Sequence, residues 1–309
     1  MTGKIIEPSA VAERRPAREL DNAALAERIS RGGPVDAEVT DEYYRRVIPL
    51  FRAMLGVHWH TGYYTDAMAP AREADQTRMI DVIADSISIG PEDVVLDVGC
   101  GIGGTVIWRA QTRGAHITGV TPVDQQLHIA QALITERQLG DRASVVIGHA
   151  GALPFPDASF DAVLFFESPC HFPERTAFFR EAFRVLRPGG RLAGEDWLCR
   201  EGLSAQRWDQ LIAPIHRTWS IRSLGSGERY VEELLTAGFE CDPWIDLRSE
   251  CALERGFSAT RTQQLQLMQA LDRSRDPLEQ LVIEGALRLG QAFAEDAFTI
   301  GRFRAIKPA

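Results

Sequence analysis

The sequence predicts an α/β protein: a doubly wound, mostly parallel sheet of seven strands, with a mostly helical lid. Three observations carry that expectation. First, Val94-Val95-Leu96-Asp97-Val98 is a short apolar, β-branched run of the kind buried on both faces of a parallel sheet, and it runs straight into the glycine-rich turn Gly99 to Gly104. Second, further apolar runs near 115–120, 143–147, 160–166, 189–196, 239–247 and 298–306 follow, with helical patterns between the first six strands of the series. Third, 309 residues at 45% hydrophobic content are enough to bury a full core.

Taken in chain order, residues 1–38 read as an N-terminal extension and residues 39–309 as the main domain. Composition favours an unstructured leader over 1–17, and Gly32-Gly33-Pro34 is a break. Between them, Asp21 or Asn22 is placed to cap a short helix running to Ile29, an arm suited to packing on a neighbouring subunit. From Asp41 to Leu55 apolar residues recur at helical spacing behind a candidate cap, Thr40. The aromatic cluster His58-Trp59-His60-Thr61-Gly62-Tyr63-Tyr64 follows, then a helix over about 70–86 that leads into the first strand. Two segments exceed what a bare sheet needs: 199–237, and 249–297 with its break at Asp276-Pro277. Together with about 39–88 they are expected to form the lid, because loops on a rigid scaffold are free to vary with the ligand.

Charge and composition exclude some functions. The formal net charge is −9 and the sequence pI near 5.4, the opposite of a nucleic-acid-binding footprint. The five cysteines form no C-x-x-C pair, and no apolar stretch is long enough for a bilayer, so a cytoplasmic protein with reduced thiols is expected.

The glycine turn decides the ligand class. Gly99, Gly101 and Gly104 satisfy G-x-G-x-x-G, which in a dinucleotide site is followed by an acid at the tip of the next strand. Here that strand ends in Thr121-Pro122-Val123, without an acid at its tip. The acid is Asp97, just ahead of the glycines, where it would repel a pyrophosphate but not a cationic sulfonium. The expected cofactor is therefore S-adenosylmethionine rather than NAD.

From about Tyr43 onward the chain resembles the class I S-adenosylmethionine-dependent methyltransferases that act on small molecules, a Rossmann-like family. The resemblance rests on LDVGCGIGG (96–104), GVTPVDQQ (119–126), ALPFPDASFDAV (152–163), Glu167-Ser168, EAFRVLRPGGRLAGEDW (181–197) and HTGYY (60–64). Each stretch is short; their shared order and spacing are specific. The resemblance implies that the last two strands form an antiparallel edge pair. It also implies that Asp97, Gly99 and Gly101 meet the methionine end of the cofactor, that Thr121 and Gln126 meet the ribose and methionine portions, and that Tyr63 joins them from the stretch before the sheet. Near the adenine the family has an acid or amide; this sequence has His149, with the backbone of Ala150 as the other candidate.

Three side chains are candidates for the chemistry. Glu167 ends an apolar strand, His171 follows in the same loop, and Asp196 ends the fifth strand. Trp59, Tyr64, Phe166, Phe172, Trp197, Trp208 and Trp219 fall in the regions expected to enclose an acceptor. Two branches of the family fit. Terpenoid C-methyltransferases, such as the geranyl diphosphate type, keep the Glu-Ser pair with the glutamate as base. Sugar and polyketide O-methyltransferases often carry two adjacent histidines after it, of which His171 alone is present beside Cys170. The leading expectation is C-methylation of an isoprenoid alkene, with O-methylation of a sugar or aromatic natural product as the alternative, His171 then being base and Asp196 its orienting partner. Arg200, Arg207, Arg217, Arg222 and Arg229 form no compact cluster, so neither a diphosphate nor a metal is assigned. The expected partners are a small hydrophobic substrate and further copies of this chain.

Overall fold

The computed structural model describes Ile6, Pro8 and residues 21–31, 37–65, 72–257 and 261–309. Its elements are α1 (Asn22–Ser30), α2 (Ala37–Leu55), α3 (Arg72–Ser86), β1 (Val94–Val98), α4 (Gly104–Arg113), β2 (His116–Thr121), α5 (Asp124–Glu136), β3 (Ala143–Ile147), β4 (Phe160–Phe166), α6 (Arg175–Val185), β5 (Leu186–Cys199), α7 (Ala205–Arg207), α8 (Ala213–Thr218), α9 (Gly227–Thr236), β6 (Glu240–Cys241), β7 (Ile245–Asp246), α10 (Glu254–Phe257), α11 (Arg261–Arg273), α12 (Pro277–Ala294) and β8 (Phe298–Ile306).

The strand order is β3-β2-β1-β4-β5-β8-β6, with β7 also on β8; β1 to β5 are mutually parallel and β8 runs antiparallel to β5, β6 and β7. The expected sheet is present, with one difference: the sixth strand is two short pieces, so there are eight strands rather than seven. Asp242-Pro243-Trp244 separates them, and proline has no N–H to give the ladder. Met79, Ile83, Val106 and Ile134 from α3, α4 and α5 cover one face of the sheet, and Phe178, Phe179, Tyr230 and Leu234 from α6 and α9 cover the other.

A third cluster, Leu25, Ile29, Val39, Val47, Phe51, Leu278 and Val282, joins α1, α2 and α12 into a lid. Asp21 caps α1 by accepting from Ala24 N at 2.8 Å, and Asp276 caps α12 by accepting from Leu278 N at 2.8 Å. The helix α1 packs on the lid of its own chain; most of the remaining 1–38 extension, including the Gly32-Gly33-Pro34 break, lies outside the described residues. Thr40 is not a cap: α2 begins at Ala37, and Thr40 lies inside it, its hydroxyl 3.2 Å from that of Ser220. Nor are α3 and α9 lid elements. The first packs on β5 and α4 through Met79, Ile80 and Ile83, and the second on α6 and the β6/β8 edge through Tyr230 and Leu234. No helix among the described residues is long and apolar enough to cross a membrane.

Candidate active site

The carboxyl ends of β1, β2 and β4 open into a cavity of about 1110 Å³, roofed by the lid. At its core end β1 turns at Gly99 and Gly101, with φ +82° and +54°, a region open to glycine without strain. A Cβ on Gly99 would stand 2.4 Å from Ser168 Cβ, and one on Gly104 2.4 Å from Val57 O, so three segments converge closely here. The Ser168 hydroxyl donates to Val98 O at 2.8 Å and ties the Glu-Ser turn to the glycine turn. Asp97 is 2% exposed, lines the cavity, and burial raises its carboxyl to about 7. No side chain or backbone N–H of the described residues donates to it. A desolvated carboxyl without an internal donor fits an external cation such as the ammonium of S-adenosylmethionine.

Thr121, 0% exposed, donates to Gln126 Oε1 at 2.5 Å and accepts from Val123 N, so β2 ends in a small polar corner on the cavity wall. His149 and Ala150 line the wall beside it, in a turn closed by Ala152 N donating to His149 O. Tyr63 does not join them. In the extended 61–65 segment successive side chains point opposite ways. Tyr64 lines the cavity, whereas the Tyr63 hydroxyl donates to Glu250 O at 2.9 Å near the surface.

Glu167 follows β4 in a left-handed conformation, φ +42°, which a non-glycine residue holds only when its surroundings fix it. Its own N–H donates to Glu195 O, and its Oε1 accepts from Thr61 N at 2.7 Å. Burial lifts the carboxyl to about 7, against the pull of the Thr61 hydroxyl and N–H. The segment carrying Thr61 is held from behind by Gln76 on α3, whose amide donates to His58 O at 2.6 Å and His60 O at 3.0 Å. Within it Trp59 lies over the Gly101 turn, and the His60 ring sits 5.2 Å from that of Phe166, its basicity lowered to about 4 by burial.

His171 closes the short turn Pro169–His171 and lines the cavity. Its Nδ1 is 3.4 Å from Ser220 O, its Nε2 is 2.7 Å from the Tyr44 hydroxyl, and burial lowers its basicity to about 4. Asp196, assigned on sequence to orient it, touches neither His171 nor the cavity. It is 0% exposed and accepts from Tyr230 Oη at 2.6 Å, Cys170 N at 2.8 Å and Trp197 N at 2.8 Å. Position 196 faces the α6/α9 side of the sheet, whereas 197 faces the lid, because strand side chains alternate. Asp196 is therefore a brace for the 169–171 turn.

The outer chamber is aromatic: Phe51, Trp197, Trp219, Phe257, Phe166 and Tyr64, with the Trp197 and Trp219 rings edge to face at 5.4 Å. Trp59 and Phe172 also line the cavity. Trp208 does not; it is half-buried and packs on His216, eight residues on, at 5.7 Å. Among the described residues lining the cavity the cation is Arg255, which donates to Thr65 O, against Asp41, Asp75, Asp97, Glu167 and Glu174. Arg200, Arg207 and Arg229 are engaged elsewhere, with Asp246, Glu295 O and Glu233. Sequence reasoning missed Tyr44, which counted only as an apolar helix position, and Gln76, for which no local signal exists.

Known proteins resemble this chain in sequence and in fold. A family model described as a methyltransferase domain matches residues 96–194. O-methyltransferase resE of Aspergillus sclerotiorum is 33% identical over 70% of this chain and 80% of its own length. Methyltransferase GfsG of Streptomyces halstedii is 36% identical over 54% of this chain, and the 27-O-demethylrifamycin SV methyltransferase of Amycolatopsis mediterranei 37% over 50%. The matched segments span 64% and 57% of those two relatives. Among solved structures, the cyclase SpnF superposes with TM-score 0.73 at 27% identity, covering 90% of this chain and 97% of that one. Geranyl diphosphate C-methyltransferase of Streptomyces coelicolor, solved with S-adenosylhomocysteine, gives 0.67 at 18% identity over 95% and 100%, a likeness of fold.

Proposed function

This chain belongs to the class I S-adenosylmethionine-dependent methyltransferases, and we propose that it methylates a hydroxyl oxygen on an apolar natural product. In this reading Asp97 holds the ammonium of S-adenosylmethionine, Gly99 and Gly101 give its methionine portion room, Thr121 and Gln126 face the ribose, and His149 with the Ala150 backbone faces the adenine. S-adenosylmethionine supplies an electrophilic methyl group. The protein's task is then to align the acceptor oxygen, exclude water and take one proton.

The observation that carries the reading is His171: a desolvated imidazole whose basicity burial lowers, with Nδ1 3.4 Å from Ser220 O, in the same cavity as Asp97 and the aromatic chamber. The aromatic lining of the outer chamber suits an apolar acceptor. A second reading, C-methylation of a prenyl alkene, is favoured by Glu167, whose carboxyl at about 7 between Phe166 and Trp197 is poised to take a proton from a carbocation. The test supplies S-adenosylmethionine with 27-O-demethylrifamycin SV or with geranyl diphosphate and reads the product by mass spectrometry and NMR. Methyl on oxygen supports the first reading and methyl on carbon the second. Glu167→Gln sharpens the choice: turnover within about 10-fold of wild type fits a hydroxyl acceptor, and a loss above about 100-fold fits the alkene.

A further inference from the structure

We propose that Tyr44 is a catalytic residue that receives the acceptor's hydroxyl proton on its phenolic oxygen while its own proton passes to His171 Nε2. The proposal rests on the hydroxyl-acceptor reading and deepens it.

The hydrogen-bond directions lead there. Nδ1 lies 3.4 Å from Ser220 O and 3.5 Å from Tyr44 Oη; a backbone carbonyl only accepts, so the Ser220 contact favours the His171 N–H on Nδ1 and the lone pair on Nε2, where Tyr44 Oη comes much closer. That lone pair is already taken: Tyr44 Oη is 2.7 Å away and must be the donor. An acceptor hydroxyl therefore cannot reach the imidazole directly. It can reach Tyr44, which lines the same cavity and whose oxygen keeps lone pairs of its own. Burial, with Tyr43, Cys170, Glu167 and Asp196 nearby, holds the phenol well above its ordinary value, so at rest it is the O–H donor this arrangement needs.

The unit is built rather than incidental. Thr40, one turn before Tyr44 on the same face of α2, meets the Ser220 hydroxyl at 3.2 Å, and Ser220 is held at φ +52°, 0% exposed. The Tyr44 ring stands edge-on to the His171 ring at 5.1 Å and to Phe51 at 6.1 Å. Tyr44 comes from the lid and His171 from the turn after β4, so the pair exists only when the lid is seated on the core. In the step, the oxygen–carbon bond forms as the carbon–sulfur bond breaks, and sulfur keeps that electron pair. The acceptor's proton goes to Tyr44, the Tyr44 proton to Nε2, and the imidazolium releases it to water afterwards, as its weak basicity demands.

The test uses the full chain and two readouts. With S-adenosylmethionine and 27-O-demethylrifamycin SV, Tyr44→Phe is expected to lower kcat about 100-fold while leaving KM for S-adenosylmethionine within about 2-fold. In protein labelled with ¹⁵N-histidine and bound to S-adenosylhomocysteine, the same variant is expected to move the His171 Nε2 resonance and leave those of His58 and His60 in place. An unchanged kcat, or an unchanged His171 resonance, overturns the proposal. If Tyr44→Phe loses S-adenosylhomocysteine binding, fluorotyrosine at position 44 replaces it; a kcat that ignores the changed phenol acidity overturns the proposal equally. Wild-type turnover of geranyl diphosphate alone would sink the hydroxyl-acceptor reading instead, while the ¹⁵N spectra still decide the hydrogen bond.

Discussion

The two ends of the cavity are built in opposite ways. At the core end, Asp97, Gly99 and Gly101 are neighbours in sequence, and the tips of three parallel strands fix them with backbone geometry. At the lid end, Tyr44, Thr61, Trp197, Ser220 and Phe257 come from five separate segments and meet only through side-chain packing. The first is a candidate binding site that the main chain makes, tolerant of few substitutions. The second is assembled by tertiary contact, so it can be rebuilt around a different acceptor without disturbing the sheet.

That contrast can be broken, starting with the largest effect. Gly99→Ala places a methyl 2.4 Å from Ser168 Cβ at a φ of +82°; about 2–4 kcal/mol of stability and all measurable S-adenosylhomocysteine binding should go, read by thermal unfolding and calorimetry. Asp97→Asn should weaken S-adenosylhomocysteine binding about 100-fold yet stabilise the empty protein. The sign follows from its carboxyl standing at about 7 in the fold against 3.8 when unfolded. Such a group weakens the fold progressively as pH rises through that window. The Tm advantage of Asp97→Asn should therefore widen between about pH 4 and pH 8, and an advantage that shrinks would refute the assignment. Gln76→Leu removes both amide bonds to the 58–60 strap, each about 1 kcal/mol; S-adenosylhomocysteine affinity should fall about 5- to 10-fold, with faster hydrogen exchange across residues 58–62. Trp208→Ala should leave acceptor KM and kcat within about 2-fold, since Trp208 lies outside the cavity; a larger change would redraw the lid end.

Much of the fold is legible in the chain because it follows local rules. An apolar run before glycines, alternation with helices, the cap at Asp21 and the break at Asp276-Pro277 each act within a few residues. The core-end site is legible for the same reason, since the chemistry of Asp97 and its glycines lies in consecutive residues. Alternation defeated the reading at two positions, where Tyr63 and Asp196 stand one residue from the side that faces the cavity. A single-residue register error turns a wall residue into a surface or brace residue.

The amino-acid sequence thus determined the parallel sheet, the glycine turn at the strand tips that line the cavity and the acid that would suit a sulfonium, because each is a property of contiguous residues. Only the tertiary structure decided that His171 is oriented by Ser220 O and met by Tyr44, that Glu167 is held by Thr61 N, and that Asp196 braces a turn. Those partners lie from 26 to 127 residues apart along the chain. Their pairing depends on how the lid helices bury their apolar faces on the sheet, and nothing in the local sequence encodes it.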